Sequence, residues 1–170
     1  MQDEPVLGSG FTTQLAQEAS GRTVVEQIRA LVTTEPFAVL CTQGEGQPYG
    51  SVVAFAFDHD LRTFVFATPT ATRKFRLLSH CDQVALVVDN RGKFPDDLMA
   101  VGAVTITGRA KWIEPGPTFE HSARLLTARH PYLKSFVESP STALFRVDAV
   151  RFLHVTRFQE VRQWIPASDG

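Results

Sequence analysis

The strongest constraint on this chain is a rhythm of short apolar runs, each too brief for a typical helix and most closed by a turn signal. Phe37-Ala38-Val39-Leu40-Cys41 is rich in strand formers, Gly44-Glu45-Gly46-Gln47 supplies a turn, and Tyr49 to Phe57 runs back, which predicts a hairpin. Asp58-His59-Asp60 is a second turn and Thr63 to Thr68 a third strand, so a three-stranded meander comes first. Val84-Ala85-Leu86-Val87-Val88 follows, then a polar loop from Asp89 to Asp97 and a long run from Met99 to Ile113. In that run Val101, Ala103, Thr105, Thr107 and Arg109 alternate with Gly102, Val104, Ile106 and Gly108, which predicts a long strand bent at glycine. Thr142 to Phe158 alternates in the same way through Ala143, Phe145, Val147, Val150, Phe152 and Val155.

Helical signals are few. Thr23-Val24-Val25-Glu26 has the form of a capping box, and Val24, Ile28, Leu31 and Val32 recur at helical spacing, predicting a helix over 23–34 that Pro36 stops. A short basic helix follows the third strand, and Thr118 to His130 reads as a helix between Pro117 and Pro131. About six strands, with helices only at the start, a crossover and a late insertion, predict a mainly β (α+β) fold with a closed or nearly closed antiparallel sheet. A doubly wound sheet is disfavoured, because neither regular strand-helix alternation nor a G-x-G-x-x-G after a strand is present. The expected organisation is one domain over residues 1–170, with 1–22 as an N-terminal arm and 115–137 as a helical insertion before the last strand.

At 170 residues, 44% hydrophobic and 21% charged, the chain has the material for a core and no signature of disorder. Seventeen Lys and Arg against 18 Asp and Glu leave a net charge of -1, which offers no field for a polyanion, so nucleic acid is not an expected partner. The acidic start Met1-Gln2-Asp3-Glu4-Pro5 lacks the order of a secretory signal, and no apolar run is long enough to span a bilayer; a cytoplasmic, membrane-free protein is expected. Cys41 and Cys81 are forty positions apart with neither a CxxC nor paired histidines, so both are read as structural thiols and no metal site is expected.

One segment carries chemistry. Phe64 to Leu78 runs from an apolar strand through Thr68, Thr70 and Thr72 into a helix that opens with Arg73, Lys74 and Arg76. A helix start offers free N–H groups and the positive end of the dipole, arginine can grip two phosphate oxygens, and lysine adds a point charge. Cations placed there are unfavourable without an anion. Periodicity alone leaves two readings open: a phosphate seat, or the solvated face of an amphipathic helix that packs through Phe75, Leu77 and Leu78.

The order Gly50-Ser51-Val52-Val53-Ala54-Phe55, then Phe66-Ala67-Thr68, then Thr72-Arg73-Lys74-Phe75 with Leu77-Leu78, then Val84-Ala85-Leu86-Val87, resembles the FMN-binding split-barrel superfamily, whose best-known members are the pyridoxamine 5'-phosphate oxidases. The resemblance runs from about Ala30 to Gly108 and is weaker elsewhere. It implies a six-stranded antiparallel split β-barrel with flanking helices, forming a homodimer with FMN at the subunit interface. It further implies that Arg73 and Lys74 bind the FMN phosphate with help from the Thr72 hydroxyl, and that Ser51, Val52 and Val53 lie along the isoalloxazine. Thr68 would flank the ribityl chain, and Asn90 and Arg91 would reach the cofactor or the partner subunit. The implied function is that of an FMN-dependent oxidoreductase acting on a small molecule. Alternatives on the same fold are a non-catalytic FMN- or haem-binding protein and a haem-degrading relative. The ending Phe158-Gln159-Glu160-Val161-Arg162-Gln163-Trp164-Ile165-Pro166 does not match the arginine- and histidine-bearing segment that grips substrate in the oxidases, which sets the vitamin B6 reaction apart from this chain.

The five histidines form neither H-x3-H nor H-E-x-x-H, which disfavours a protein-built zinc site. His154 is the candidate for an axial ligand under the haem alternative, with a plain hydrogen-bonded histidine as the competing reading. Trp112 and Trp164 could wall a flavin pocket or simply pack. No serine has a hydrolase setting, and no residue is nominated as a catalytic acid or base.

Overall fold

Strands with one apolar face can remove their exposed edges by closing the sheet on itself. The structure, a computed structural model, describes residues 22–157 and 160–167. Apart from Arg22, the expected N-terminal arm lies outside the described residues. The strands β1 (Phe37–Gly44), β2 (Gln47–Phe57), β3 (Thr63–Pro69), β4 (Gln83–Asp89), β5 (Ala103–Trp112) and β6 (Thr142–Thr156) are antiparallel neighbours in the order β3-β2-β1-β4-β5-β6. Pairing of β3 with β6 closes the six into a barrel, as the sequence led us to expect. Its interior is filled by Leu40, Phe55, Phe64, Phe66, Leu86, Ile106, Phe145 and Phe152, with Phe66 and Phe145 stacked at 5.5 Å.

A seventh strand lies outside the barrel. The first half of β6 closes against β3, from Thr142 opposite Pro69 to Asp148 opposite Thr63. Its second half carries β7 (Glu160–Trp164), with Phe152 opposite Trp164 and their rings 4.8 Å apart. This strand is not among those the sequence predicts; with five residues, β7 is too short for alternation to declare it.

The run from Met99 to Ile113 is also divided differently. Leu98–Ala100 is a 3-10 turn and the strand begins at Ala103. Local polar side chains compete with the ladder here: Asp97 accepts from the Met99 N–H, and Asn90 Oδ1 accepts from the Gly102 N–H at 2.8 Å. The expected bend is a register shift between Thr107 and Gly108 where β5 runs beside β6.

Two helical layers cover the barrel. The capping box of Thr23 and Glu26 starts α1 (Val24–Thr34), which buries Val24, Ile28, Leu31 and Val32 in the barrel core. The insertion folds as α3 (Pro117–Arg129) and α4 (Lys134–Val137), after the crossover helix α2 (Arg73–His80). Leu126 and Val137 pack with Ala56, Val65 and Leu144 in a second, smaller core on the outside of the sheet. No helix of the described residues is long and apolar enough to cross a membrane.

A Cβ at Gly108 would sit 2.5 Å from the Asp148 carbonyl oxygen, which is main chain and cannot rotate away. Gly108→Ala is expected to cost about 2–3 kcal/mol by overpacking, against less than about 0.5 kcal/mol for Gly92→Ala, where nothing lies within 4 Å. Urea unfolding midpoints of the two variants check this.

Candidate functional site

Strand β2 changes partners along its length. It pairs with β1 from Gln47 to Ala54, but with β3 only from Phe57 opposite Phe64 to Phe55 opposite Phe66. Beyond that fork β3 continues on β6 alone, and a gap opens in the barrel wall between Gly50–Ala54 and Ala67–Pro69. The Asp58 N–H donates to the Thr63 carbonyl, so two-residue alternation turns the main chains of Ala56, Ala54 and Val52 toward the β3 side and those of Ser51 and Val53 toward β1. Val52 therefore presents its N–H and C=O to the gap, and its side chain, on the outer face, is 68% exposed. Val53 is buried in the interior, whereas the buried Ser51 Oγ has no hydrogen-bond partner.

At the top of the gap, the end of β3 is stitched to α2. Thr72 is the N-cap: its hydroxyl accepts from the Phe75 N–H at 3.2 Å, donates to the Pro69 carbonyl at 2.9 Å and meets the Thr68 hydroxyl at 3.0 Å. Thr70 is held through its N–H and hydroxyl to the Ser141 carbonyl. The hydroxyls of Thr68 and Thr72 thus serve the cap, and Thr68, fully buried, pairs with Ala143 on β6. Helix geometry leaves the N–H groups of the first turn, at Arg73 and Lys74, without intrahelical partners.

The cations on that turn are unmatched. Arg109 pairs with Asp82, Lys93 with Glu35 and Arg146 with Asp148, but among the described residues no carboxylate pairs with Arg73, Lys74 or Arg76. The Arg73 guanidinium lies over the Tyr49 ring, 5.1 Å from its centroid, which ties α2 to the β2 side of the gap. Burial pushes the Lys74 ammonium below the ordinary lysine value. The helix meanwhile packs as an amphipathic one, with Leu78 buried and Phe75 edge-on to Phe145 at 6.0 Å and to Trp112 at 5.6 Å. Tyr49 escaped the sequence reading, although its spacing of two from Ser51 put both on one face.

Four expected residues lie elsewhere. Asn90 and Arg91 follow the far end of β4, roughly 20 Å along the strand from the end nearest α2, because each strand residue advances about 3.3 Å. Asn90 holds the base of its loop through Gly102, and Arg91 pairs with Asp89 at 3.3 Å. Within one chain they do not meet Arg73 and Lys74. His154 is buried at that same far end, beside a cavity of about 400 Å³ also lined by Gln27, Asn90 and Arg157. Trp164 packs on Phe152, while Trp112 stays 57% exposed beside Phe75. Cys41 and Cys81 are free thiols, and burial raises the Cys41 pKa. Cys41 lines a groove of about 440 Å³ on the outer sheet face with Pro48, Ala85, Val150 and Leu153.

Residues 24–156 match the pyridoxamine 5'-phosphate oxidase family, and the chain belongs to it. No curated protein matches it in sequence. Its structure is similar to that of a haem-binding protein from Mycobacterium smegmatis, with a TM-score of 0.76 and 17% identity over 85% of this chain; the chain spans 59% of that protein. It is also similar to a pyridoxinephosphate oxidase family protein from Clostridium acetobutylicum related to general stress protein 26 (TM-score 0.65, 16% identity, 83% of this chain and 93% of that one). A FAD-binding protein from Mesorhizobium loti is similar as well (TM-score 0.63, 14% identity, 78% and 94%). At these identities the likeness establishes the fold.

Thr72→Ala is expected to lower stability by about 1 kcal/mol through loss of the cap, and Thr72→Ser to recover most of it. Thermal unfolding of the two variants tests this.

Proposed function

We propose that the chain is an FMN-binding flavoprotein whose phosphate seat is Arg73 and Lys74 and whose cleft is the gap beside Val52. The observation that carries this reading is a basic first turn without carboxylates at the mouth of an unzipped sheet edge. The residues suit the cofactor: two cations and free first-turn N–H groups for a phosphate, and the Val52 main chain for the polar edge of a flat ring, with the buried, unpartnered Ser51 hydroxyl one residue away. Bound FMN would supply two-electron redox chemistry, and the protein's part is to hold and orient the ring toward a small-molecule substrate. Thr68 and Thr72 serve by fixing the start of α2.

A homodimer fits the same reading. The outer groove at Cys41, Ala85 and Leu153 offers an apolar face for a second copy, whose Asn90 and Arg91 could reach the site that its own chain keeps distant. The cytoplasm, where a neutral chain with free thiols is stable, is the proposed compartment.

FMN titration followed by flavin fluorescence is the test. Changing Arg73 and Lys74 together to alanine should weaken binding about 100- to 10,000-fold, since each charge-assisted contact contributes about 1.5–3 kcal/mol; unchanged affinity would remove the seat. A haem Soret band in place of flavin absorption would transfer the assignment to the haem-binding alternative. The pH dependence has a definite sign. Binding requires the Lys74 ammonium, so FMN affinity should fall as pH rises through its depressed pKa, earlier than for an ordinary lysine. The ligand-free fold should change oppositely, gaining stability over that range because the buried charge is the disfavoured form. Lys74→Arg should flatten the affinity profile.

A further inference from the structure

The insertion touches the wall of the cleft where β2 changes partners. The β1–β2 ladder ends at Phe37 opposite Ala54, so the residue opposite Phe55 one step further is Pro36, which has no N–H. Alternation turns the main chain of Phe55 toward that position, and its carbonyl faces a missing donor. His130, the C-cap of α3 and only 3% exposed, fills the vacancy: its Nε2 lies 2.9 Å from the Phe55 oxygen. A carbonyl only accepts, so the bond requires the proton on Nε2. Phe37 stacks on the His130 ring at 6.3 Å and 19°. The adjoining Arg129 spreads over the rings of Phe55 and Phe57, at 4.5 and 5.1 Å, and donates from Nη2 to the carbonyls of Val32 and Glu35 where α1 ends.

We propose that His130 is a positioning residue for the cleft, supplying the donor that Pro36 lacks and thereby fixing the point at which β2 parts from β3. The inference rests on reading the gap as the cofactor cleft. The free edge at Val52 begins three residues from Phe55 and has no strand on its gap side, so its path is set by β1 and by the anchor at the fork. Without that anchor the Phe55 carbonyl must find water or shift, and the edge shifts with it.

The test compares His130→Leu, His130→Gln, Pro36→Ala and the double variant Pro36→Ala with His130→Leu. FMN affinity is one readout, and amide hydrogen exchange at Val53, beside the cleft, against Ile106 in β5 is the other. His130→Leu should weaken FMN about tenfold and speed exchange at Val53 while leaving Ile106 unchanged. Glutamine keeps an N–H donor and should recover most of the loss. The double variant restores a main-chain N–H opposite Phe55 and should recover wild-type behaviour. Wild-type affinity and exchange in His130→Leu, or failure of Pro36→Ala to relieve it, would overturn the proposal. Should His130→Leu not fold, rescue of folding by Pro36→Ala supports the proposal and absence of rescue overturns it. If the wild type itself does not take up FMN, the cofactor reading falls, while exchange at Val53 still decides the role of His130.

Discussion

The proposed cleft depends on one strand serving two neighbours. A central strand normally satisfies both edges along its whole length, and a buried main-chain group left without a partner is costly. β2 spends its upper part on β1 and its lower part on β3, and the wall opens at the hand-over around Phe55. The opening is tolerable because its lips are pinned. Thr72 ties the end of β3 to the helix above, and His130 completes the carbonyl that Pro36 cannot serve. An open edge held this way suits the proposed role of receiving a ligand that brings its own donors and acceptors.

The electrostatics agree with that view. Isolated surface ion pairs contribute little, so the pairing of cations elsewhere in the chain is unremarkable in energy. The contrast matters more: the turn where the helix dipole already repels cations holds three of them and no carboxylate. One is partly desolvated, and another rests on an aromatic face. Such an arrangement carries an electrostatic cost that, on the proposed function, a phosphate dianion would offset.

Much of this was legible in the chain and some was not. The six barrel strands, the capped first helix and the start of the insertion follow from alternation, capping residues and proline, all of which are local signals. The basic turn at Arg73 and Lys74, the proposed phosphate seat, was visible because charge against a helix start is local too. The clasp between Pro36, Phe55 and His130 was hidden, since it brings His130 to a position 75 residues away through a register that only the folded sheet defines. The separation of Asn90 and Arg91 from the basic turn was hidden for a related reason: sequence order after a strand does not say at which end of a barrel that strand finishes. Residues 51 to 53 read as one stretch, yet the pleat sends Val52 to one side and its neighbours to the other.

The long strand β6 has a further consequence for how the molecule comes together. The hairpin of β1 and β2 joins residues close in sequence, whereas closure brings Thr63–Pro69 to Thr142–Asp148 across nearly half of the chain. Non-local pairings of this kind bear a large loop-closure entropy and slow folding. Local pairing places β2 on β1 and the start of β3 on β2, whereas the end of β3 at Ala67–Pro69, beyond the fork, has strand pairing only with β6 and is fixed by closure. On the proposed function, a ligand spanning the two would act as a latch on that final step, its presence felt most in the rate at which the barrel reopens.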